Sequence, residues 1–290
     1  MKPTPFEYYA PTTVAAVIEL LRTLPNARVL AGGQSLVPML NLRAAGPDHL
    51  IDLNNVAELS GIVKTANGLR IGAMTRQRAV EQSPLVRSLC PLLGETIDHV
   101  GHQQTRNRGT IGGSIAHLDP GAELPIAAAV LDAEMTIAGP DGERNVPFRD
   151  FPTGYLSTVI EPEEILTRID FPAAEPGEGY AFMEFNQRPA DFAVVGVAVL
   201  LALDGKRVRR LRVAVGGIDY APVRLSGVET ALTGAEFDEG AVETAGIAAA
   251  SIACEGDEVS PAEFRKHIAG VLVRRALRKA WTRAKGGDHG

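Results

Sequence analysis

Two short segments of this 290-residue chain carry the residue types that hold phosphate: Ala31-Gly32-Gly33-Gln34-Ser35 and Thr110-Ile111-Gly112-Gly113-Ser114. Paired glycines let the backbone take positive φ and present N–H groups with no Cβ in the way. A concave row of such amides binds phosphate oxygens, and a helix beginning just beyond it adds positive potential. Ser35, Thr110 and Ser114 add hydroxyl donors at the same points, so together the segments suit the two sides of a pyrophosphate. For either segment alone, a tight turn is the plain alternative. Neither has the G-x-G-x-x-G spacing of a dinucleotide fingerprint, and neither is followed by the Lys-Ser or Lys-Thr of a P-loop.

Other chemistries are poorly supplied. Cys90 and Cys254 are the 2 cysteines, too few for a disulfide framework, a four-thiolate cluster or a Cys-rich zinc site. His99 and His102 lack a set of metal-ligating partners, and no Gly-x-Ser-x-Gly elbow is present. With Lys plus Arg at 29 against Asp plus Glu at 35, the net charge of −6 speaks against generic nucleic-acid binding. The apolar run Phe192–Leu203 is shorter than the roughly 20 residues of a spanning helix. Met1–Ala10 lacks the apolar stretch of a secretory signal, so a cytoplasmic protein is expected.

The elements that must position the glycine segments follow from pattern. Val14, Val17, Ile18 and Leu21 recur at helical spacing behind Thr12 or Thr13 as cap. Arg28–Ala31 reads as a strand entering the first glycine pair, Gln34–Asn41 as a short helix and Leu50–Leu53 as the next strand. Leu69–Gly72 reads as a strand and Thr75–Gln82 as a helix capped by Thr75. Ser83-Pro84 opens a helix expected to run through Leu92 and Leu93 towards Val100, and Gly112-Gly113 is expected to be a second turn. Pro125–Leu131 reads as a helix, and Pro140-Asp141-Gly142 as the turn of a hairpin. Composition shifts at Pro172–Gly179. Beyond it lie three strands, Tyr180–Asn186, Phe192–Leu203 and Val208–Val215, and closing helices. Ser260–Glu263 has the form of a capping box. Arg274, Arg275, Arg278 and Lys279 read as a solvated helix end, and Gly286–Gly290 as frayed.

The order Ala31-Gly-Gly-Gln-Ser-Leu-Val-Pro, Ile71-Gly-Ala-Met-Thr and Arg108-Gly-Thr-Ile-Gly-Gly-Ser resembles the FAD-binding medium subunit of molybdenum hydroxylases. That family includes carbon monoxide dehydrogenase and xanthine dehydrogenase. The likeness continues through Asp119-Pro-Gly-Ala-Glu-Leu-Pro125, Glu163-Glu-Ile-Leu166, Gly179-Tyr-Ala-Phe182 and Ala269-Gly-Val-Leu-Val-Arg-Arg275. Each motif is weak alone; their order is specific.

The resemblance implies FAD held non-covalently, its pyrophosphate on Arg28, Val29, Leu30, Ala31, Gly32, Gly33, Gln34 and Ser35 and on Thr110, Ile111, Gly112, Gly113 and Ser114. It implies a contact from Glu123 to the adenosine half, where a carboxylate can accept from ribose hydroxyls; a helix N-terminal carboxylate is the alternative. Leu166 would line the flavin's surroundings or pack in a strand core, and Phe192 would cover the isoalloxazine ring or pack. The chain departs from relatives at Gln34, often His, at Ser114, often Asn or Asp, and over Met183–Arg188, where some carry lysines. His117 would be a polar wall residue.

The fold implied is α+β: a two-subdomain FAD-binding fold of the vanillyl-alcohol oxidase type over 1–175, split near 56, then a C-terminal flavoprotein domain over 176–290 with an antiparallel sheet and helices. The function implied is electron transfer within an oxidoreductase. A small partner subunit would carry two [2Fe–2S] clusters and a large one molybdopterin, commonly in an (LMS)2 heterohexamer. A stand-alone FAD oxidoreductase and a flavin-free scaffold are the competing readings.

Overall fold

The computed structural model describes residues 1–286. Its first unit is β1 (Glu7–Tyr9), α1 (Val14–Thr23), β2 (Ala27–Leu30), α2 (Leu36–Asn41) and β3 (His49–Asp52). The strands form a parallel sheet in the order β1-β3-β2. Thr13 caps α1 by accepting from the Ala16 N–H at 3.2 Å, and Val17 and Leu21 are buried beneath it with Ile51. The parallel order sends both β2 and β3 towards one edge, where the first glycine pair emerges.

The second unit runs β4 (Ile62–Lys64), β5 (Gly68–Gly72), then α3 (Gln77–Gln82), α4 (Pro84–Leu89), α5 (Pro91–Ile97), α6 (Gln103–Arg108), α7 (Ile111–His117) and α8 (Glu123–Leu131). The hairpin β6 (Glu134–Gly139) and β7 (Gly142–Pro147), the pair β8 (Pro152–Gly154) and β9 (Ser157–Thr158), and β10 (Ile165–Pro172) complete it. The main sheet is antiparallel, β4-β5-β10-β6-β7.

The third unit is the sheet β11 (Gly179–Phe185), β12 (Val195–Asp204), β13 (Arg207–Gly216) and β14 (Val223–Arg224), antiparallel throughout. It is covered by α9 (Ser226–Leu232), α10 (Glu239–Ala250) and α11 (Ala262–Ala284). Mixed helix and sheet in this order is the α+β class expected.

Helix α8 joins the second and third units and is buried along all of its residues. Ile126 seats it: a Cβ on Gly196 or Gly216 would lie 2.6 or 2.4 Å from the Ile126 Cδ1, so glycine on both strands makes the slot. Burying such a side chain contributes about 1.5–3 kcal/mol. Leu118 ends α7 at φ 52°, which costs a non-glycine residue about 1–2 kcal/mol, and its side chain is fully buried.

Several local expectations differ from the structure. The helix opened by Ser83-Pro84 does not run to Val100; Pro91 has no N–H to continue the ladder, and α5 starts anew there. Thr75 caps nothing and instead donates to the Gly61 carbonyl at 3.0 Å. Ser260–Glu263 forms no capping box, because Pro261 is the cap residue and the Ser260 N–H is taken by Asp257. Arg274 and Arg278 do not mark a helix end. They lie within α11 and pair with Glu243 and Glu239 of α10. The frayed end expected over Gly286–Gly290 falls, beyond Gly286, outside the described residues. Among the described residues no helix is long and apolar enough to cross a membrane.

Candidate functional site

Strand β2 delivers the chain to the first glycine pair, with Arg28 exposed and Val29 and Leu30 half-buried. Gly33 takes φ +74°, a left-handed conformation that L side chains rarely adopt. The reversal leaves the backbone N–H groups of Gly33, Gln34, Ser35 and Leu36 with no acceptor among the described residues. Ser35 precedes α2 without making a capping bond. Gly33 and Gln34 border a cavity of about 330 Å³, lined also by Asp52, Asn54 and Arg108. Four consecutive free amides, the first two beside a cavity with an arginine at its wall, form an anion cradle.

The second segment is a different device, and the expectation of a second open turn is corrected. Gly112 and Gly113 are helical residues of α7 without positive φ. Its first-turn amides already have acceptors: Ile111 donates to Thr75 at 3.1 Å, Gly112 to Ala73 at 2.9 Å and Ser114 to Thr110 at 3.2 Å. Gly113 donates to Thr110 Oγ1 at 3.0 Å, the helix cap. Here glycine is needed for packing. A Cβ on Gly112 would stand 2.4 Å from that of Ala73, while one on Gly32 would stand 2.3 Å from the Arg108 carbonyl oxygen. Positive φ is thus confined to Gly33 of the four glycines. The Gly113 position lies 3.5 Å from Ala31 Cβ, so the two segments do meet. The Ser114 hydroxyl is half-buried and makes no hydrogen bond within the described chain.

A polar brace that the sequence did not reveal spans the two. Arg76 donates to the Arg108 carbonyl and, at 2.5 Å, to Asn54 Oδ1. Asn54 donates onward to the Ala31 carbonyl at 3.1 Å and to Asp52, which also accepts from the Tyr8 hydroxyl at 2.5 Å. Burial holds the Arg76 guanidinium below its usual pKa, and the like charge of Arg108 adds to this. A second cavity of about 470 Å³ opens against Arg76 and Asn54 on the side of Ser60 and Thr75. Nothing in local spacing links residues 54, 76 and 108. Arg108 did stand beside the second glycine pair, at the junction of α6 and α7, and that nearness was the available signal.

Glu123 opens α8 and is 3% exposed. Burial pushes its carboxyl up to about 8, its own backbone N–H opposes that, and Glu184 and Asp119 add like charge. Phe192, by contrast, is 59% exposed in the loop before β12. It lies over Gly121, where a Cβ would be 3.1 Å from the Phe192 Cβ, so Phe192 and Glu123 flank one turn. Leu166 pairs with Ile137 in β10 and belongs to the main core, the packing alternative. His117 is half-buried at the end of α7.

Residues 4–174 match the model of the FAD binding domain in molybdopterin dehydrogenase, and residues 180–280 that of the CO dehydrogenase flavoprotein C-terminal domain. The carbon monoxide dehydrogenase medium chain of Hydrogenophaga pseudoflava is 38% identical over 98% of this chain and 99% of its own length. In the solved carbon monoxide dehydrogenase of Hydrogenophaga pseudoflava, one chain superposes with a TM-score of 0.95, at 38% identity over 98% of this chain and 99% of that one. A chain of quinoline 2-oxidoreductase from Pseudomonas putida 86 superposes with a TM-score of 0.92, at 36% identity over 99% of each chain. Fold, cradle and matches together define an FAD-binding flavoprotein of the oxidoreductase class. Within that class the chain belongs to the family of medium subunits of molybdenum-containing dehydrogenases, with the carbon monoxide and xanthine dehydrogenase subunits.

Proposed function

We propose that this chain passes electrons from partner iron–sulfur clusters through its FAD to an external acceptor. The observation that carries the reading is the row of four unpaired amides, Gly33 to Leu36, of which the first two residues line a cavity that Arg108 also borders. These residues fit a pyrophosphate: the amides and the Ser35 and Ser114 hydroxyls donate, and Arg108 offsets the charge. Arg28 to Leu30 lead into that loop, while Thr110, Ile111, Gly112 and Gly113 back it by packing. Glu123 would take a polar group of the cofactor, and Phe192 would lie against its ring system, with Leu166 supporting from the core. When bound, the flavin supplies the redox chemistry; the chain binds, orients and shields it.

Two cysteines cannot supply the ligands of two [2Fe–2S] centres, each of which takes about four. Electrons therefore come from a small iron–sulfur subunit, fed by molybdopterin in a large subunit, in a cytoplasmic (LMS)2 assembly. In this reading residues 1–175, divided near 56, hold the FAD and 176–290 form the second domain.

Purified alone, the chain should bind FAD and accept electrons from a chemical reductant while hydroxylating nothing. Co-expressed with its partners, it should yield a complex containing molybdenum, iron and FAD whose flavin bleaches on adding substrate. Rapid bleaching of the isolated, metal-free chain by an organic substrate would refute the reading.

A further inference from the structure

Strand β11 is first in the order β11-β12-β13-β14, so one of its edges has no strand beside it. Backbone groups on such an edge must find other partners. The Phe182 N–H donates to Glu95 Oε1 of α5 at 2.8 Å, and the Tyr180 carbonyl accepts from Arg283 Nη1 of α11 at 2.7 Å. Glu95 also pairs with Lys279 at 3.0 Å and with Arg283 at 2.7 Å, and Arg283 lies 4.2 Å from the centre of the Tyr180 ring. One carboxylate thus ties α5 of the second unit to the edge strand and the closing helix of the third. Its side chain is 16% exposed and that of Arg283 10%, so salt and water screen the contact little.

His99 makes a second contact in the turn just beyond α5. Its ring lies 5.1 Å from that of Phe182, and its Nδ1 is 3.2 Å from Glu184 Oε1, which also accepts from Asn186 Nδ2 at 3.0 Å. Four residues of near-helical chain advance about 6 Å, and two residues of strand about 6.6 Å. Glu95 and His99 are therefore in step with Phe182 and Glu184.

Beyond β11 the chain returns at once to the turn before α8. Val194 donates to the Phe185 carbonyl at 2.8 Å and Ala193 to the Gly121 carbonyl at 3.1 Å. Phe192, exposed and lying over Gly121, stands in the loop so closed. One root of this loop is set by β11 and the other by the α8 turn, so a displaced β11 moves Phe192 relative to Glu123.

We propose that Glu95 is a positioning residue for the flavin: it clamps β11 against α5 and so fixes Phe192 beside the ring system. The effect on the flavin rests on the functional reading above; the clamp does not. Another polar latch supplies the comparison. Asp132, at the opposite end of α8 from Glu123, pairs with Arg212 and Arg224 at 2.5 and 2.8 Å, joining the same two units through β13 and β14.

The flavin-free full chain is tested first, by hydrogen exchange read at single amides. In Glu95→Ala the Phe182 amide should exchange about tenfold faster, having lost a charged acceptor. Glu95→Gln, whose amide oxygen can still accept, should keep most of the protection. His99→Ala, at a partly exposed position, should act in the same sense as Glu95→Ala by about threefold. Asp132→Asn should lower the melting temperature and leave the Phe182 amide as in the wild type. A Phe182 amide unchanged in every folded variant of Glu95 and His99 overturns the clamp.

The midpoint reduction potential of bound FAD is measured next. It should shift in Glu95→Ala, His99→Ala and Phe192→Ala, stay near the wild-type value in Glu95→Gln and Asp132→Asn, and move no further when Phe192→Ala is added to His99→Ala. Faster Phe182 exchange with an unchanged potential, or shifts that simply add, would overturn the positioning role. Faster Phe182 exchange in a chain that binds no FAD upholds the clamp and refutes the functional reading instead.

Discussion

Replacing Arg76 with alanine asks whether the brace between the two glycine segments sets the shape of the FAD cradle. The guanidinium makes two bonds, to the Arg108 carbonyl and to Asn54 Oδ1, and the second continues to the Ala31 carbonyl. Hydrogen bonds from a charged donor contribute about 1.5–3 kcal/mol each. Burial already lowers the Arg76 pKa, so desolvation offsets part of that gain. A net loss of about 1–2 kcal/mol remains. If it falls on loop placement, the dissociation constant for FAD rises about five- to thirtyfold, since 1.4 kcal/mol is tenfold. Arg76→Lys keeps the charge but not the planar fork that reaches two acceptors, and should restore less than half of the loss. The assay is quenching of flavin fluorescence on titration, with the melting temperature of the flavin-free chain measured beside it. A wild-type dissociation constant in Arg76→Ala, with only the melting temperature lowered, would refute the reasoning and leave Arg76 a structural residue.

Gly112→Val should prevent stable folding, because its Cβ would overlap Ala73; expression in inclusion bodies or a lost thermal transition checks this. Thr110→Val removes the α7 cap and should cost about 1 kcal/mol in denaturant unfolding, with FAD binding weakened only modestly. Glu123 has its carboxyl pushed up from 4.5 to about 8 by burial, so the unfolded chain binds fewer protons than the folded one between these values. Stability therefore falls with rising pH across that window, and Glu123→Gln should raise the melting temperature at pH 8 much more than at pH 5. Cys90 is fully buried with its thiol pushed up to about 12, whereas Cys254 is half-buried. An aromatic disulfide reagent should titrate one thiol in the native chain and the second only on unfolding.

Local signals carried the fold where the determinants are local. Thr13 before a helical apolar spacing gave α1, and Ser83-Pro84 gave the start of α4. The reading failed where a distant contact decides. Gly112-Gly113 resembles a turn in isolation, but Ala73 and Thr75 of the neighbouring strand end accept its amides and draw it into α7. The basic run from Arg274 looks like a helix terminus until Glu239 and Glu243 of α10 supply its partners. In the site, Gly33 was legible because φ freedom leaves a residue type behind. Asn54 and Arg76 were not, because each acts through partners that only the sheet topology brings near.

One FAD should sit with its pyrophosphate on the Gly33–Leu36 amides. Phosphorus NMR of FAD titrated with the purified chain tests it directly. The two pyrophosphate resonances should shift and broaden with a one-to-one endpoint, and Gly33→Val, strained at its positive φ, should abolish that response while the chain keeps its far-ultraviolet circular dichroism. Stoichiometric binding with the same phosphorus shifts in folded Gly33→Val would contradict the account.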